Sequence, residues 1–315
     1  MRLLPLGLAV LLLGSPAIAG PRRCGDDVDG RGRNVPCACG DVLVGSRTLG
    51  PDDPITQQVC AGDGLLVRIP PGHPPATLQL GGQTIGGSAR GVGIKVLDGG
   101  ADGLTIAGPG TVIGFTTGVQ ARRGLAAVRD VSATGNTADG FDLAGDGFEL
   151  RRCEATQNGR DGFVLHGRGA RVDGNRAAEN RRHGFHVAGR EADLGAELAN
   201  QSVQNAHDGL RVMGRGHVLA QPVASANGGA GIRARVSHGR IERARVEANA
   251  ADGLRASGTG LAVTDNVANA NGGSGIVVRG ARVVDAGGNR AAGNQRRRRA
   301  RVVPGAECAV GAPCR

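Results

Sequence analysis

The sequence predicts an all-β fold, a parallel β-helix that completes one coil about every 22 residues. The main observation is a repeated asparagine, followed four residues later by a glycine and then by a large apolar residue. A repeat period between 20 and 50 residues is the sequence signature of a solenoid. The intervals between these marker asparagines are 22, 22, 25, 22, 22 and 22 residues, for Asn136, Asn158, Asn180, Asn205, Asn227, Asn249 and Asn271.

Each repeat divides into three short strands. After the glycine, apolar and polar residues alternate, as Phe141 and Leu143 do around Asp142, which is the period of a strand with one buried face. A second strand places an apolar residue eight positions before the asparagine, and a third segment leads into it. No run has helical spacing, and the skeleton of leucine-rich repeats is missing. The second-strand positions are Val128, Leu150, Val172, Leu219, Ile241 and Val263.

Stacked coils lie about 4.8 Å apart, so equivalent residues form ladders. We expect a ring stack from Phe141, Phe163 and Phe185, and amide ladders from the marker asparagines at the corners. Asparagine tolerates a left-handed backbone, and its side chain can bond the neighbouring coil. The 57 glycines, five phenylalanines and absence of Trp and Tyr fit a narrow core in which each repeat contacts only its neighbours.

The first 19 residues have the pattern of a secretory signal peptide. Arg2 precedes an apolar stretch that ends near Leu13, and Ala17-Ile18-Ala19 matches a signal-peptidase site. The stretch is too short to span a bilayer. We therefore expect an exported protein of the periplasm, cell surface or extracellular space, with a retained membrane anchor as the alternative. The predicted organisation is a signal peptide (1–19), a cysteine-containing cap (20–60), the β-helix (61–300) and a C-terminal tail (301–315).

Seven cysteines in an exported chain predict disulfides. Cys37 and Cys39 are too close to bridge each other easily. Two pairings remain at the N-terminus, Cys24–Cys37 with Cys39–Cys60 or Cys24–Cys39 with Cys37–Cys60, and we favour the first because it staples the cap to the opening coil. Cys308 and Cys314 form the expected C-terminal pair. Cys153 falls in the column of Asn175 and Asn200, which predicts a buried, reduced corner residue.

Three segments resemble a known family. Cys39-Gly40-Asp41, the run from Cys60 to Leu65 and the run from Leu78 to Ile85 precede the N-x-x-x-G-[FIL] coils. This arrangement is similar to right-handed parallel β-helix repeat proteins of the pectin-lyase-like fold, which include NosD-type periplasmic proteins, over residues 39–300. The resemblance implies a right-handed helix, and it says little about function, because this fold hosts lyases, hydrolases, epimerases and non-catalytic proteins.

No catalytic set of a familiar member of this fold transfers to the sequence. The acidic motifs of polygalacturonases and the site of alginate epimerases are missing. A NosD-type copper role would lead one to look for clustered Met or His. Met213 is the only methionine after Met1, and the seven histidines look scattered along the chain.

Carboxylates precede several of the repeat glycines. Asp139, Asp161, His183 and Asp208 fall in one column, and adjacent carboxylates about 5 Å apart could share a proton or hold Ca²⁺. Asp139, Asp161 and Asp208 are therefore candidate metal ligands. The alternative is that Asp-Gly is turn chemistry that repeats because the turn repeats. No other cofactor is expected. The acidic run from Asp26 to Asp29 lacks the spacing of a calcium loop.

An arginine ladder occupies the outward position after the large apolar residue. Arg211, Arg233 and Arg255 fall on successive coils, with His186 one coil earlier and Arg235 in the neighbouring column. Like charges at this spacing repel, and guanidinium groups suit carboxylates, so an acidic polysaccharide is the candidate ligand. The alternative is compositional bias, since only Lys95 among 38 basic residues is lysine.

Two further predictions concern the ends and partners of the chain. The run of arginines at 296–299 either blunts the open end of the helix or grips a polyanion, and we favour blunting. Nucleic acid is not an expected partner of an exported chain without aromatic stacking residues.

Three functions are compatible with the sequence. The first is a non-catalytic structural or carbohydrate-binding protein, which we favour because missing Tyr and Trp weigh against a sugar-processing groove. The second is a lyase, hydrolase or epimerase of acidic glycans, and the third is a NosD-like accessory protein.

Overall fold

The computed structural model describes residues 21–70, 72, 74–97 and 103–295, together with the backbone of 307–308. The signal peptide, the arginine run at 296–299 and the Cys308–Cys314 pairing lie outside these residues or involve side chains outside them. Within the described part, the only helix is a 3-10 turn, Pro54–Thr56. In that part, no helix is long and apolar enough to cross a membrane.

The chain winds into an all-β parallel solenoid of about 12 turns with roughly 22 residues per coil, which confirms the predicted fold class. Each turn adds one strand to each of three sheets. The first sheet begins each repeat, directly after the glycine. It contains Arg23–Cys24, Val42–Leu43, Leu65–Val67, Val92–Val96, Thr117–Ala121, Phe141–Ala144, Phe163–Arg168, Phe185–Arg190, Leu210–Arg215, Ile232–Ser237, Leu254–Ser257, Ile276–Arg279 and Glu307–Cys308.

The second and third sheets follow along each coil, and two long strands, Leu104–Ile113 and Leu125–Thr134, run through both. The second sheet also has Arg47–Thr48, Thr77–Gln79, Glu149–Arg151, Arg171–Asp173, Asp193–Leu194, Val218–Ala220, Arg240–Glu242, Ala262–Thr264 and Val284–Asp285. The third also has Val59–Cys60, Thr84–Gly87, Glu154–Thr156, Arg176–Ala178, Gln201–Val203, Val223–Ser225, Arg245–Glu247, Val267–Asn269 and Arg290–Ala292.

The core is a narrow column of stacked side chains between the sheets. Phe141, Phe163 and Phe185 are paired in register and fully buried. Their ring centres lie 4.9 and 4.7 Å apart, with interplanar angles of 11° and 12°. Smaller aliphatic residues continue the column through Leu210 to Ile276. The offset stack follows because the coil spacing matches the favourable separation of aromatic rings.

The marker asparagines form a buried amide ladder at the corner between the third and first sheets. The Asn158 side chain donates to Asn180 Oδ1 at 3.0 Å, and the Asn158 backbone N–H donates to the same oxygen at 3.1 Å. The pattern repeats through Asn271, which donates to Asn294. The left-handed residue of each corner is the one before the asparagine, with φ between 53° and 56°, at Gln157, Glu179, Gln204, Ala226, Ala248 and Ala270.

The repeated glycine is explained by this ladder. A Cβ at Gly162 would lie 2.7 Å from the carbonyl oxygen of Gly184 and 2.8 Å from Nδ2 of Asn180. Both distances are shorter than real carbon contacts allow, so the coil above leaves no room for a side chain. The spacing N-x-x-x-G therefore reflects one corner of the coil. At this corner, the glycine of one coil packs directly against the asparagine amide of the next coil.

The single 25-residue interval is an insertion at one corner. Leu194 pairs with Val172 before it and Leu219 after it, so it fills the apolar column of the second sheet. Counting eight residues back from Asn205 misses this residue, because the extra residues lie between it and Asn200, in the loop 195–199. The other two sheets stay in register across the insertion.

The N-terminus is held by two disulfides, Cys24–Cys37 and Cys39–Cys60, which is the favoured pairing of the two that the spacing allows. A buried ion pair lies beside them, in which Arg47 Nε donates to Asp53 Oδ1 at 3.0 Å and Nη2 donates to Oδ2 at 2.9 Å. Cys153 is a free, buried cysteine whose backbone N–H donates to Asn175 Oδ1. At the other end, Glu307–Cys308 pairs antiparallel with Ile276–Arg279, the last strand of the first sheet before it.

Candidate functional site

The outer face of the first sheet gathers most of the residues singled out from the sequence. Its side chains stand in three columns that run along the helix. The turn column precedes the glycines and contains Thr117, Asp139, Asp161, His183, Asp208, Ala230, Asp252 and Ser274. The first outer column contains Gln120, Asp142, Val164, His186, Arg211, Arg233, Arg255 and Val277, and the second contains Ala144, His166, Ala188, Met213, Arg235, Ser257 and Arg279.

The acidic side chains of the turn column accept hydrogen bonds from the next coil. Asp139 Oδ1 accepts the backbone N–H of Asp161 at 3.0 Å, and Asp161 Oδ1 accepts that of His183 at 2.9 Å. In the same way, Asp208 Oδ1 accepts the backbone N–H of Ala230, and Asp252 Oδ1 accepts that of Ser274. These contacts link adjacent coils rather than residues of the same turn. In the described residues, no three His, Cys, Asp or Glu side chains are grouped to hold a metal.

His183 takes the place of an aspartate in this column. Its Nδ1 accepts the backbone N–H of Asp208 at 3.1 Å, as a carboxylate oxygen does elsewhere. Burial lowers the pKa of His183 to about 4, although Asp161 and Asp208 lie nearby. The imidazole is therefore neutral near pH 7, with its proton on Nε2.

Neighbouring carboxylates of the turn column have opposite pKa shifts. Burial raises the pKa of Asp139, and the nearby Asp161 charge adds to the rise. Burial alone would also raise the pKa of Asp161, but His186, the His183 N–H and Arg182 hold it below the ordinary value. Arg182 Nη1 lies 3.4 Å from Asp161 Oδ2. Unlike shifts on adjacent carboxyls are a feature of acid–base sites, so the pair calls for a catalytic test.

Four of the seven histidines meet on this face, and we call them the histidine group: His166, His183, His186 and His207. Ring centres lie 6.2 Å apart for His166 and His186, 6.0 Å for His183 and His186, and 5.6 Å for His183 and His207. The sequence interpretation of scattered histidines is thus wrong for these four. They are 3 to 41 residues apart along the chain, and the stacking of coils brings them together.

His186 and Asp161 form an incompletely bonded pair at the centre of the group. His186 Nδ1 lies 3.6 Å from Asp161 Oδ2. Asp161 is fully buried, and among the described residues neither its Oδ2 nor His186 Nε2 has a hydrogen-bond partner. Buried polar atoms without partners are uncommon and call for an explanation.

Two of the three ladder arginines are neutralised by acids of the turn column. Arg233 Nε donates to Asp208 Oδ2 at 2.7 Å, and its Nη2 donates to Oδ1 at 3.1 Å. Arg255 Nη1 donates to Asp252 Oδ2 at 3.0 Å. The repulsion expected along this ladder is therefore largely compensated, which sequence spacing did not reveal.

Four other arginines of this face are not neutralised. Within the described part of the chain, Arg211 and Arg235 have no hydrogen bond or ion pair, and the same holds for Arg190 and Arg215, which are neighbours in register at the end of their strands. We call Arg190, Arg211, Arg215 and Arg235 the basic patch. Arg190, Arg215 and Arg235 are exposed, and Arg211 is half-buried.

A comparison with protein families identifies the family to which the chain belongs. Residues 126–296, more than half of its length, match the family described as "Periplasmic copper-binding protein (NosD)". The chain belongs to the NosD family. The periplasmic description of NosD and the two disulfides both fit an exported protein. No curated protein matches the sequence.

Several solved structures resemble this NosD-family chain. The A-module of the Azotobacter vinelandii mannuronan C-5 epimerase AlgE4 is 17% identical, with a TM-score of 0.41, over 80% of this chain and 94% of that one. The periplasmic alginate epimerase AlgG is 15% identical, with a TM-score of 0.47, over 80% of this chain and 67% of that one. At these values neither likeness bears on activity.

The NosD description implies copper, and the donors on the outer face are of the right chemistry. Imidazole and thioether groups are ligands that copper takes in proteins. The histidine group supplies imidazoles, one of which has a buried, unpartnered Nε2, and Met213 supplies a thioether in the second outer column. Carboxylates of the turn column are already used by backbone amides and arginines. The donor set therefore fits copper better than calcium.

Proposed function

We propose that this NosD-family protein is a non-catalytic binding protein that holds an acidic polysaccharide along the outer face of its first sheet. The basic patch is the observation that carries the proposal. Four guanidinium groups lie on three successive coils, and none has an ion pair within the described residues. Guanidinium forks match carboxylate geometry and remain charged at all physiological pH values.

Several arginines of the other two sheets are paired with acids, unlike those of the basic patch. On the second sheet, Arg129 pairs with Glu149 of the neighbouring strand, and Arg151 pairs with Glu197 of an adjacent loop. Arg176 and Glu154 pair in the same way on the third sheet. A repeating polyanion would neutralise several coils of the basic patch at once.

The ligand would be held by charge rather than by stacking. The chain has neither Trp nor Tyr, and its five Phe residues include none on this face. Sugar rings therefore find no aromatic platform, and carboxylate groups are the features that the patch can recognise. Affinity should fall with ionic strength, because exposed charges are screened over about 8–10 Å at physiological salt.

A binding role, rather than catalysis, is also supported by the turn column. Each of Asp139, Asp161 and Asp208 uses one carboxylate oxygen to accept a backbone amide of the next coil. Asp208 is further engaged by Arg233. A general base needs a free lone pair within reach of the substrate. Among the described residues, Asp161 Oδ2 has no hydrogen-bond partner, but it is buried and out of reach of a polymer on this face.

The experiment compares two variants of equal net charge. One replaces the four arginines of the basic patch by glutamine; the other replaces the exposed, unpaired Arg171, Arg181, Arg240 and Arg245, which lie outside this face. Retention on immobilised polymannuronate and polygalacturonate is measured at several salt concentrations. We expect the first variant to lose retention and the control to keep most of it. Equal losses would show that binding reflects net charge alone.

Turnover is tested on the same material. We expect no new reducing ends, no unsaturated uronates and no epimerised sugars after incubation of polyuronates with the wild type. Any of these products, if lost on changing Asp139 and Asp161 to Asn, would replace the binding role by the enzymatic alternative.

A copper-linked accessory role is the second candidate, and the histidine group is the observation that favours it. The two roles use different side chains of the same face, so one does not exclude the other.

A further inference from the structure

The His186 ring is oriented as a metal ligand would be. Its Nδ1 faces the buried Asp161 carboxylate at 3.6 Å, which places the imidazole proton on Nδ1 and leaves a lone pair on Nε2. That Nε2 atom is buried and has no donor among the described residues. Metal-binding histidines characteristically direct their second ring nitrogen at a carboxylate in this way.

His166 supplies a second imidazole one coil away. Its ring centre lies 6.2 Å from that of His186, nearly edge-on. Two imidazoles bound to one ion have centres about 5–6.5 Å apart, because metal–nitrogen bonds measure about 2.0–2.1 Å. In the described part of the chain, the His166 side chain makes no hydrogen bond.

Met213 completes the arrangement from the opposite side. His166, Ala188 and Met213 are consecutive in the second outer column, and His186 stands beside Ala188 on the same strand. Ala188, which stands between His166 and Met213 in this column, carries only a methyl group. Met213 is the only methionine after Met1, and it is half-buried on this face.

The other members of the histidine group are less suited to ligation. His183 Nδ1 accepts the Asp208 N–H, so its proton is on Nε2 and it has no free lone pair. His207 is exposed on the far side of His183. The positions around Ala188 thus offer two imidazoles and one thioether.

We infer that His166, His186 and Met213 form a binding site for copper(I), with Asp161 as the positioning residue for His186. Thioether and imidazole ligands together select copper(I) over harder ions. A monovalent ion also suits the neighbourhood, because Arg211 pairs in register with His186 and would repel a divalent ion more strongly. The inference concerns different residues from the basic patch and does not depend on glycan binding.

The test is a competition titration of the purified, disulfide-intact protein with copper(I) and bicinchoninate under anaerobic conditions. We expect one equivalent to bind, and His166→Ala, His186→Ala and Met213→Leu each to weaken the affinity at least tenfold. Met213→Leu preserves volume, so it keeps the inference testable should a histidine variant fold poorly. X-ray absorption should detect two nitrogen ligands and one sulfur ligand.

Matched controls distinguish this site from adventitious binding. His207→Ala and His238→Ala remove exposed imidazoles and should leave the affinity unchanged. Asp161→Asn keeps an acceptor for the His183 amide but removes the charge facing His186, and should weaken copper(I) binding less than His186→Ala. Wild-type affinity in Met213→Leu, or equal losses in His207→Ala and His186→Ala, would overturn the inference. Polyuronate retention of Met213→Leu should match the wild type, which separates the two proposals.

Discussion

The amide ladder makes a quantitative prediction about stability. Asn180 is 1% exposed and lies near the middle of the solenoid. Its Oδ1 accepts the backbone N–H and the side-chain Nδ2 of Asn158, while its own Nδ2 donates to Ala155 O at 3.0 Å and to Asn205 Oδ1 at 2.8 Å. Replacing Asn180 by alanine removes all four bonds and leaves the buried Asn158 N–H without a partner.

The expected loss follows from these bonds. An orphaned buried amide costs about 1–3 kcal/mol, and each of the other three lost bonds about 0.5–1.5 kcal/mol, so Asn180→Ala should lower the free energy of unfolding by about 2.5–7.5 kcal/mol. Asn180→Asp should be worse than alanine at pH 7, since a carboxylate would face the oxygens of Ala155 and Asn205 in a buried site. Burial raises the folded-state pKa of such an aspartate, so its penalty should shrink as the pH falls and the carboxyl is protonated.

The assay is urea unfolding of the disulfide-intact protein at pH 7 and pH 5. The control is Asn269→Ala, which removes a half-buried side chain that accepts one bond, from the Ala292 N–H, and should cost about 1 kcal/mol. The reasoning is refuted by an Asn180→Ala loss no larger than the control's, or by an Asn180→Asp variant more stable than the alanine variant at pH 7.

Three further outcomes are expected from the geometry. Burial alone would raise the pKa of Asp208, but Arg233 and the Ala230 N–H lower it. The ionised carboxylate therefore stabilises the fold above the ordinary pKa of about 4, and this stabilisation is lost as the pH falls below that value. Between pH 6 and pH 3, the free energy of unfolding should fall less in Asp208→Asn than in the wild type, and an equal fall would contradict this. Burial raises the pKa of the Cys153 thiol to about 12, so iodoacetamide should leave it unmodified at pH 8 until urea is added, and rapid native labelling would disprove its burial. Removing the Cys39–Cys60 bridge by Ser substitution should cost about 2–5 kcal/mol, measured by thermal unfolding, and an unchanged midpoint would argue against its role.

Most of the fold could be predicted because most tertiary contacts join residues that are one repeat period apart. In a solenoid, residues one period apart are spatial neighbours, so the columns of Phe141 and Val128 could be assigned from spacing alone. The spacing failed where the period changed. Marker asparagines fix only one corner of each coil, so they could not show that the extra residues of the long coil lie after Leu194.

The candidate site was harder to predict because its members are not one period apart. His166 and His186 differ by 20 residues, so they fall on adjacent coils but in different columns. A search for repeats cannot find such a pair; a search for any two histidines about one coil apart would have done so. The pairing of Arg233 with Asp208 was hidden for a related reason, since it joins two columns through side-chain conformations that spacing does not encode.

The two proposed ligands should assist each other, because the side chains that hold them are neighbours. Arg211 belongs to the basic patch and pairs in register with His186. A carboxylate of a bound polyuronate would neutralise Arg211 and remove its repulsion of copper(I), which is worth about 0.5 kcal/mol, or about twofold in affinity, for charges about 7 Å apart in water. By reciprocity, copper(I) should strengthen polyuronate binding by the same factor. Repeating the bicinchoninate titration with polyuronate should show this gain in the wild type and none in Arg211→Gln; a gain that survives the substitution would mean that the polymer itself binds the copper.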